Sequence, residues 1–346
     1  MNSKERLSNT FSHKPVDRKP CICPGGMMNM ITTDLMKKAG VMWPAAHTDA
    51  EMMAELAIAS HESRCFDNIG VPFCMTVEAE ALGAEVTMGS EVFEPHVTGY
   101  PIETVEDWTK LSKPDLDSGR SKVTIDSIRI IRSREPEAPI IGNLTGPVSV
   151  ASSVMEPVTF YKELRKKKEA AHEFMTFVTE GLIDFARAMV EAGADVIAIS
   201  DPSGTGEILG PKFFEEYAVR YLNMLLDGLK DLQMMGTIVH ICGNMTNVYD
   251  KINMVDASAL SFDSVVPMNE AREKLQGRVL MGNVSTYTLE FGKPEDVKRL
   301  TRFCSRGGSD ILSPACGLGT RSPLSNIQAI MEALEEDSRA AEVDNA

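Results

Sequence analysis

Gly193-Ala194-Asp195-Val196-Ile197-Ala198-Ile199-Ser200-Asp201-Pro202-Ser203-Gly204 decides the fold. Its centre is a short β-branched run without polar alternation, as expected of a parallel strand buried on both faces. A long helical stretch at about 158–191 leads into it, stopped at Ala192-Gly193, and a turn rich in small residues leads out. The same unit recurs along the chain, with strands expected at 20–25, 70–75, 139–144, 195–200, 237–241, 259–263, 279–282 and 310–313. Helical patterns fit between them. Thr48 stands before Asp49, Glu51, Met52, Leu56 and Ala59, while Pro211, Pro294 and Pro323 sit where first helical turns would begin. Eight strand signals alternating with helices predict an α/β chain folded as a single closed (β/α)8 TIM barrel over residues 1–346. Residues 84–100 alternate differently and read as a β-hairpin insertion after the second strand. The acidic segment 335–346 reads as a frayed, flexible tail.

Composition narrows the function. The 346 residues are 25% charged and 43% hydrophobic, an ordinary globular balance. Fifty acids against 35 bases give a net charge of −15, which repels nucleic acid and anionic membranes. No run approaches the roughly 18 apolar residues of a membrane helix. Met1-Asn2-Ser3-Lys4-Glu5-Arg6 does not read as a signal peptide, so a cytoplasmic protein with no membrane partner is expected. The basic run Arg165-Lys166-Lys167-Lys168 reads as a solvated helix face. Seven cysteines in so long a chain do not form a disulfide framework, and reduced thiols are expected.

In a barrel of this kind the chemistry lies at the C-terminal ends of the strands. One such end reads His240-Ile241-Cys242-Gly243-Asn244, and another reads Pro314-Ala315-Cys316-Gly317. A period of two puts His240 and Cys242 on one side of the sheet, and barrel closure can bring Cys316 to the same mouth. One imidazole and two thiolates suit zinc with its fourth position open, as in catalytic sites. The competing reading is a hydrogen-bonded core histidine beside two buried thiols. Cys21 and Cys23 alternate on the first strand, and burial in the barrel explains them better than a second metal site.

These residues resemble the uroporphyrinogen decarboxylase-like barrels, and among them the zinc methyltransferases that methylate coenzyme M from a methylated corrinoid protein. The resemblance runs nearly end to end. It includes Val16-Asp17-Arg18-Lys19-Pro20, Gly142-Asn143-Leu144-Thr145-Gly146-Pro147, the segment 193–202, the segment 240–244, Gly282-Asn283-Val284 and the segment 314–317. It implies that His240, Cys242 and Cys316 bind one zinc ion per chain. It further implies methyl transfer from methyl-Co(III) on a corrinoid protein to the thiol of coenzyme M, as in methanogenesis. Decarboxylase members carry an arginine-containing segment after the first strand, whereas 21–48 holds no arginine here.

Under that chemistry Glu207 is the candidate exchangeable fourth ligand, and Asp201 and Asp263 are candidates to orient His240 or take the thiol proton. Asn143, Gly319 and Arg321 are candidates for the sulfonate, with the glycine-rich 316–320 leading to a helix start near Ser322-Pro323. Met27, Met28 and Met30 are candidates to face the corrin ring. The chain carries no DxHxxG corrinoid signature, so the methylcobalamin-type donor is expected on a partner. Overall likeness, including the segment 21–30, favours the methanol-specific type. The alternatives are the methylamine isozyme, a metal-free tetrapyrrole decarboxylase, and a corrinoid chaperone without methyl transfer.

Overall fold

The computed structural model describes residues 1–344. Strand β1 (Ile69–Val71) is followed by the pair β2 (Glu85–Thr87) and β3 (His96–Gly99), then by β4 (Ile140–Thr145) and β5 (Val196–Ser200). After these come β6 (Gly236–Ile241), β7 (Ala259–Phe262) and β8 (Val279–Met281). Six of them form one sheet in the order β1-β4-β5-β6-β7-β8, parallel at every neighbour. Every residue of β4 and β5 is buried, including the polar Asn143, Thr145 and Ser200 toward their C-terminal ends.

The first and last expected strands are present as single bridges rather than ladders. Cys21 bridges Leu312, and Ile311 bridges Met281, both in parallel sense. Leu312 N donates to Pro20 O at 2.9 Å, Ile22 N to Leu312 O at 2.8 Å, and Asp67 N to Cys21 O at 2.7 Å. Hydrogen bonds therefore run from β8 through both segments to Asp67, two residues before β1, the link by which a (β/α)8 barrel closes. Asp67 pins that closure. Its buried carboxylate accepts from Cys21 N at 2.8 Å, from the Arg18 fork at 2.7 and 2.8 Å, and from Arg6 at 3.2 Å. Removing one partner from such a buried ion pair costs about 3–5 kcal/mol.

The helices sharpen the boundaries read from sequence. The stretch at 158–191 is two helices, Pro157–Lys166 and Lys168–Ala192, broken where Lys167 leaves helical geometry (φ −126, ψ 54). Helix Ala50–Glu62 is capped by Asp49, whose side chain accepts from Met52 N, rather than by Thr48. The frayed tail expected from 335 onward is corrected, because helix Leu324–Asp344 continues through it. Glu335 pairs with Arg64, Glu336 with Lys298 and Arg302, and Asp337 with Arg302. The last two residues of that expected tail, 345 and 346, lie outside the described residues. No described helix is long and apolar enough to cross a membrane.

β2 and β3 pair antiparallel after β1. The loop between them is tied to the barrel mouth, where Thr320 Oγ1 donates to Val92 O at 3.0 Å.

Candidate metal centre

His240 is the fifth residue of β6 and Cys242 follows the strand's last residue, Ile241. The two-residue period delivers both to the barrel mouth, with Cys242 Sγ 3.2 Å from His240 Nε2. Cys316 arrives from the far end of the chain, after Pro314 bridges Val284 beside β8. Its Sγ lies 3.8 Å from that of Cys242. The three ligand atoms all fall within 4.8 Å of one another. Such convergence of one nitrogen and two sulfurs leaves room for a single ion, and the donor set suits zinc.

His240 is buried, and its Nδ1 meets Ser261 Oγ at 2.8 Å. That contact follows from register, since His240 and Ser261 are direct partners across β6 and β7. Ser261 Oγ thus engages Nδ1, and Nε2 is the ring nitrogen that faces the thiols. The thiols themselves are unequal. A hydrogen bond from Cys242, with another from His240, draws the Cys316 thiol down to about 5. The same contact with Cys316, followed by burial, pushes Cys242 far up. Without a metal the pair holds one thiolate and one proton.

The loop after the first strand walls the site on one side. Leu318 N donates to Asn29 O at 2.8 Å, and Met27 Sδ lies 3.6 Å from Cys316 Sγ. Met28 and Met30 are fully buried, so the expectation that they face a corrin is corrected; they fill the core beneath the loop. Met27, at 9% exposure, touches the thiol instead. Cys21 and Cys23 are buried, and their thiols are raised by burial.

The carboxylates sort differently from expectation. Asp201 is fully buried and serves the start of helix Pro147–Ala151, accepting from Val148 N, Ser149 N and Ser149 Oγ at 3.2, 2.8 and 2.6 Å. It does not orient His240; a serine does. Asp263 accepts from Val265 N at 3.2 Å and from Gly243 N at 3.4 Å, which steadies the turn after Cys242 without touching the imidazole. Glu207 sits in the first turn of the helix after β5, and its Oε2 accepts from Asn244 N at 3.0 Å. Gly243 (φ +78) passes so close that a Cβ there would lie 2.5 Å from the same oxygen. Glu207 thus borders the triad and stands outside the set of mutually close ligand atoms.

Asn143 is buried within β4 as its fourth residue, with Nδ2 3.3 Å from Ser200 Oγ. Its Oδ1 fills the space where Gly26 (φ +61) would carry a Cβ, only 1.7 Å away. Gly319 and Arg321 line a cavity of about 430 Å³ beside the Cys316 loop, together with Phe93, Glu94, Glu290 and Thr320. Glu94 was not among the residues singled out from sequence. The hairpin loop carries it to this cavity, where burial and then the Cys316 charge raise its carboxyl to about 8. Its only sequence signal was membership of the segment 84–100.

A protein-family model described as uroporphyrinogen decarboxylase (URO-D) matches residues 2–336. The chain belongs to the uroporphyrinogen decarboxylase family. Within it, a methylcobamide:CoM methyltransferase MtbA of Methanosarcina acetivorans is 34% identical over 331 residues, covering 95% of this chain and 96% of the relative. A methylcobamide:CoM methyltransferase MtaA of Methanosarcina barkeri is 33% identical over 337 residues, covering 96% and 97%. A solved structure titled "methyltransferase from Methanosarcina mazei" superposes with a TM-score of 0.90 at 33% identity, over 97% of this chain and 99% of that one. This chain and that methyltransferase share one architecture.

Proposed function

We propose that this chain is a zinc-dependent methyltransferase that moves a methyl group from a methyl-Co(III) corrinoid, borne by a partner protein, to the thiol of coenzyme M. The observation that carries the reading is the meeting of His240, Cys242 and Cys316 within 4.8 Å at the barrel mouth. Relatives named for methylcobamide and CoM across almost the whole chain support it.

Bound zinc would supply the positive charge that keeps an acceptor thiol as its nucleophilic thiolate at neutral pH. His240, Cys242 and Cys316 would hold that ion, and Ser261 holds the ring at Nδ1 so that Nε2 is turned toward it. Two cysteine thiolates neutralise a divalent charge, so a third sulfur keeps its electron density. Glu207 is the carboxylate this reading places at the exchangeable position, since it already reaches the turn after Cys242. Among the described residues Arg321 is the one cation lining the neighbouring cavity, against Glu94 and Glu290, and the reading assigns it to the sulfonate. The Met27 loop and the barrel wall shield the thiols from water on their buried side.

The test is direct. Purified protein mixed with methylcobalamin and coenzyme M is expected to convert methyl-Co to reduced cobalamin, and a zinc chelator is expected to stop it. Conversion unaffected by chelation, or no conversion by zinc-loaded protein, overturns the reading. A metal-free tetrapyrrole decarboxylase would instead show no zinc requirement.

The finer assignment is a methanol-specific corrinoid donor, which rests on the likeness that includes the segment 21–30. The MtbA and MtaA relatives are similar to nearly the same degree and do not favour either system. Rates with methylated corrinoid proteins of the methanol and methylamine systems decide it, and faster transfer from the methylamine type would reverse the assignment.

A further inference from the structure

The seven cysteines divide sharply by accessibility. Cys21, Cys23, Cys65, Cys74 and Cys304 are buried, while Cys242 and Cys316 are partly exposed. Burial raises each of the five buried thiols, Cys65 to about 12, so they are poor nucleophiles as well as hidden ones. The exposed two stand with sulfurs 3.8 Å apart. A disulfide needs about 2.05 Å, so an approach of under 2 Å completes the bond. Both residues stand outside the strands, each followed by a glycine, Gly243 and Gly317.

We infer that Cys242 and Cys316 form an oxidative modification site, a dithiol that small-molecule disulfides convert to an intramolecular disulfide with loss of the metal. The Cys316 thiolate attacks one sulfur of the reagent RSSR, forming a mixed disulfide and expelling RS⁻. The Cys242 thiolate then attacks Cys316 Sγ, closing the protein disulfide and expelling the second RS⁻. Two protein thiolates are oxidised, the reagent's disulfide is reduced to two thiolates, and the divalent ion leaves with its charge unchanged. The product retains His240 alone of the three ligands. Thiols held deep in the barrel do not compete, and the site closes reversibly. This inference concerns the metal ligands and holds whichever thiol is the acceptor.

The experiment treats the full-length, zinc-loaded protein with oxidised glutathione. Released zinc is read with a chromogenic chelator, and disulfides are mapped by peptide mass spectrometry. The expected result is loss of two of seven thiols, one zinc released per chain, and a single peptide pair joining Cys242 to Cys316. Dithiothreitol with added zinc restores both. In Cys242→Ser the bond cannot close, and a glutathione adduct on Cys316 is expected. Cys304→Ser is expected to behave as the parent. Mapping is readable even if the protein as isolated holds no zinc, so failure of the metal reading is distinguishable from failure of this one. Zinc retained with Cys242 and Cys316 still reduced, or oxidation spread over other cysteines, overturns the inference.

Discussion

Ser261 Oγ sits 2.8 Å from His240 Nδ1, its register partner across two parallel strands. A serine on the neighbouring strand therefore sets which imidazole nitrogen faces the thiols. Partners of this kind are worth 10–100-fold in metal affinity. Ser261→Ala is expected to weaken zinc binding by about that factor while leaving the fold intact. Competition with a chelator of known affinity measures it, and unchanged affinity would show that the serine does not hold the ring.

The unequal thiols predict the proton count of metal uptake. At pH 7 Cys316 is already ionised, with its thiol drawn down to about 5, whereas Cys242 keeps its proton. Zinc must displace that proton, so the thiols should release about one proton per ion at pH 7. Affinity then rises about tenfold per pH unit from this source, and more steeply below about pH 5, where Cys316 is protonated too. Calorimetry in buffers of different ionisation enthalpy reads the number. Release of two thiol protons at pH 7 would refute the assignment.

Asp201 is expected to govern stability rather than metal binding. Asp201→Ala strands the Val148 and Ser149 donors in the buried start of helix Pro147–Ala151. An unpaired buried polar group costs about 1–3 kcal/mol. A lower denaturant midpoint with full zinc occupancy is the expected outcome, and lost zinc in a fully stable variant would return Asp201 to the metal site.

Glu94 gives the hairpin a pH signature. Its carboxyl is raised from 4.5 to about 8, chiefly by burial. Between those limits the folded chain carries a proton that the unfolded chain has shed, so this group's contribution to stability falls as pH rises through the window. Its partial exposure to solvent limits the size of the effect. Glu94→Gln should lose less stability than the parent between pH 5 and about 8. Urea midpoints at the two ends compare them, and parallel pH profiles would remove Glu94 from the buried cavity.

The parts legible in the sequence are those in which one residue type and one spacing force the outcome. The strand period put His240 and Cys242 on one face and the end of a barrel segment offered Cys316, but it was the family resemblance that singled the three out as a ligand set. The eight strand positions were legible from apolar runs bounded by small residues, although 20–25 and 310–313 hold only bridges. Ser261 was not legible, since its partnership with His240 depends on the register between β6 and β7. Asp201 misled for a related reason. A carboxylate at a strand end can face the mouth or turn back to bind helix amides, and only packing decides. Met28 and Met30 sit at the mouth in sequence and beneath the loop in space. In the last helix, acidic residues that looked solvated are ion-paired to bases far away in the chain, Arg64 among them.

Zinc K-edge X-ray absorption on the native protein, before and after adding coenzyme M, tests the central claim most directly. The account predicts one zinc with two sulfur neighbours and at least one imidazole nitrogen, rising to three sulfurs when the thiol is present. Absence of zinc, or a sulfur count that stays at two with coenzyme M bound, would contradict it.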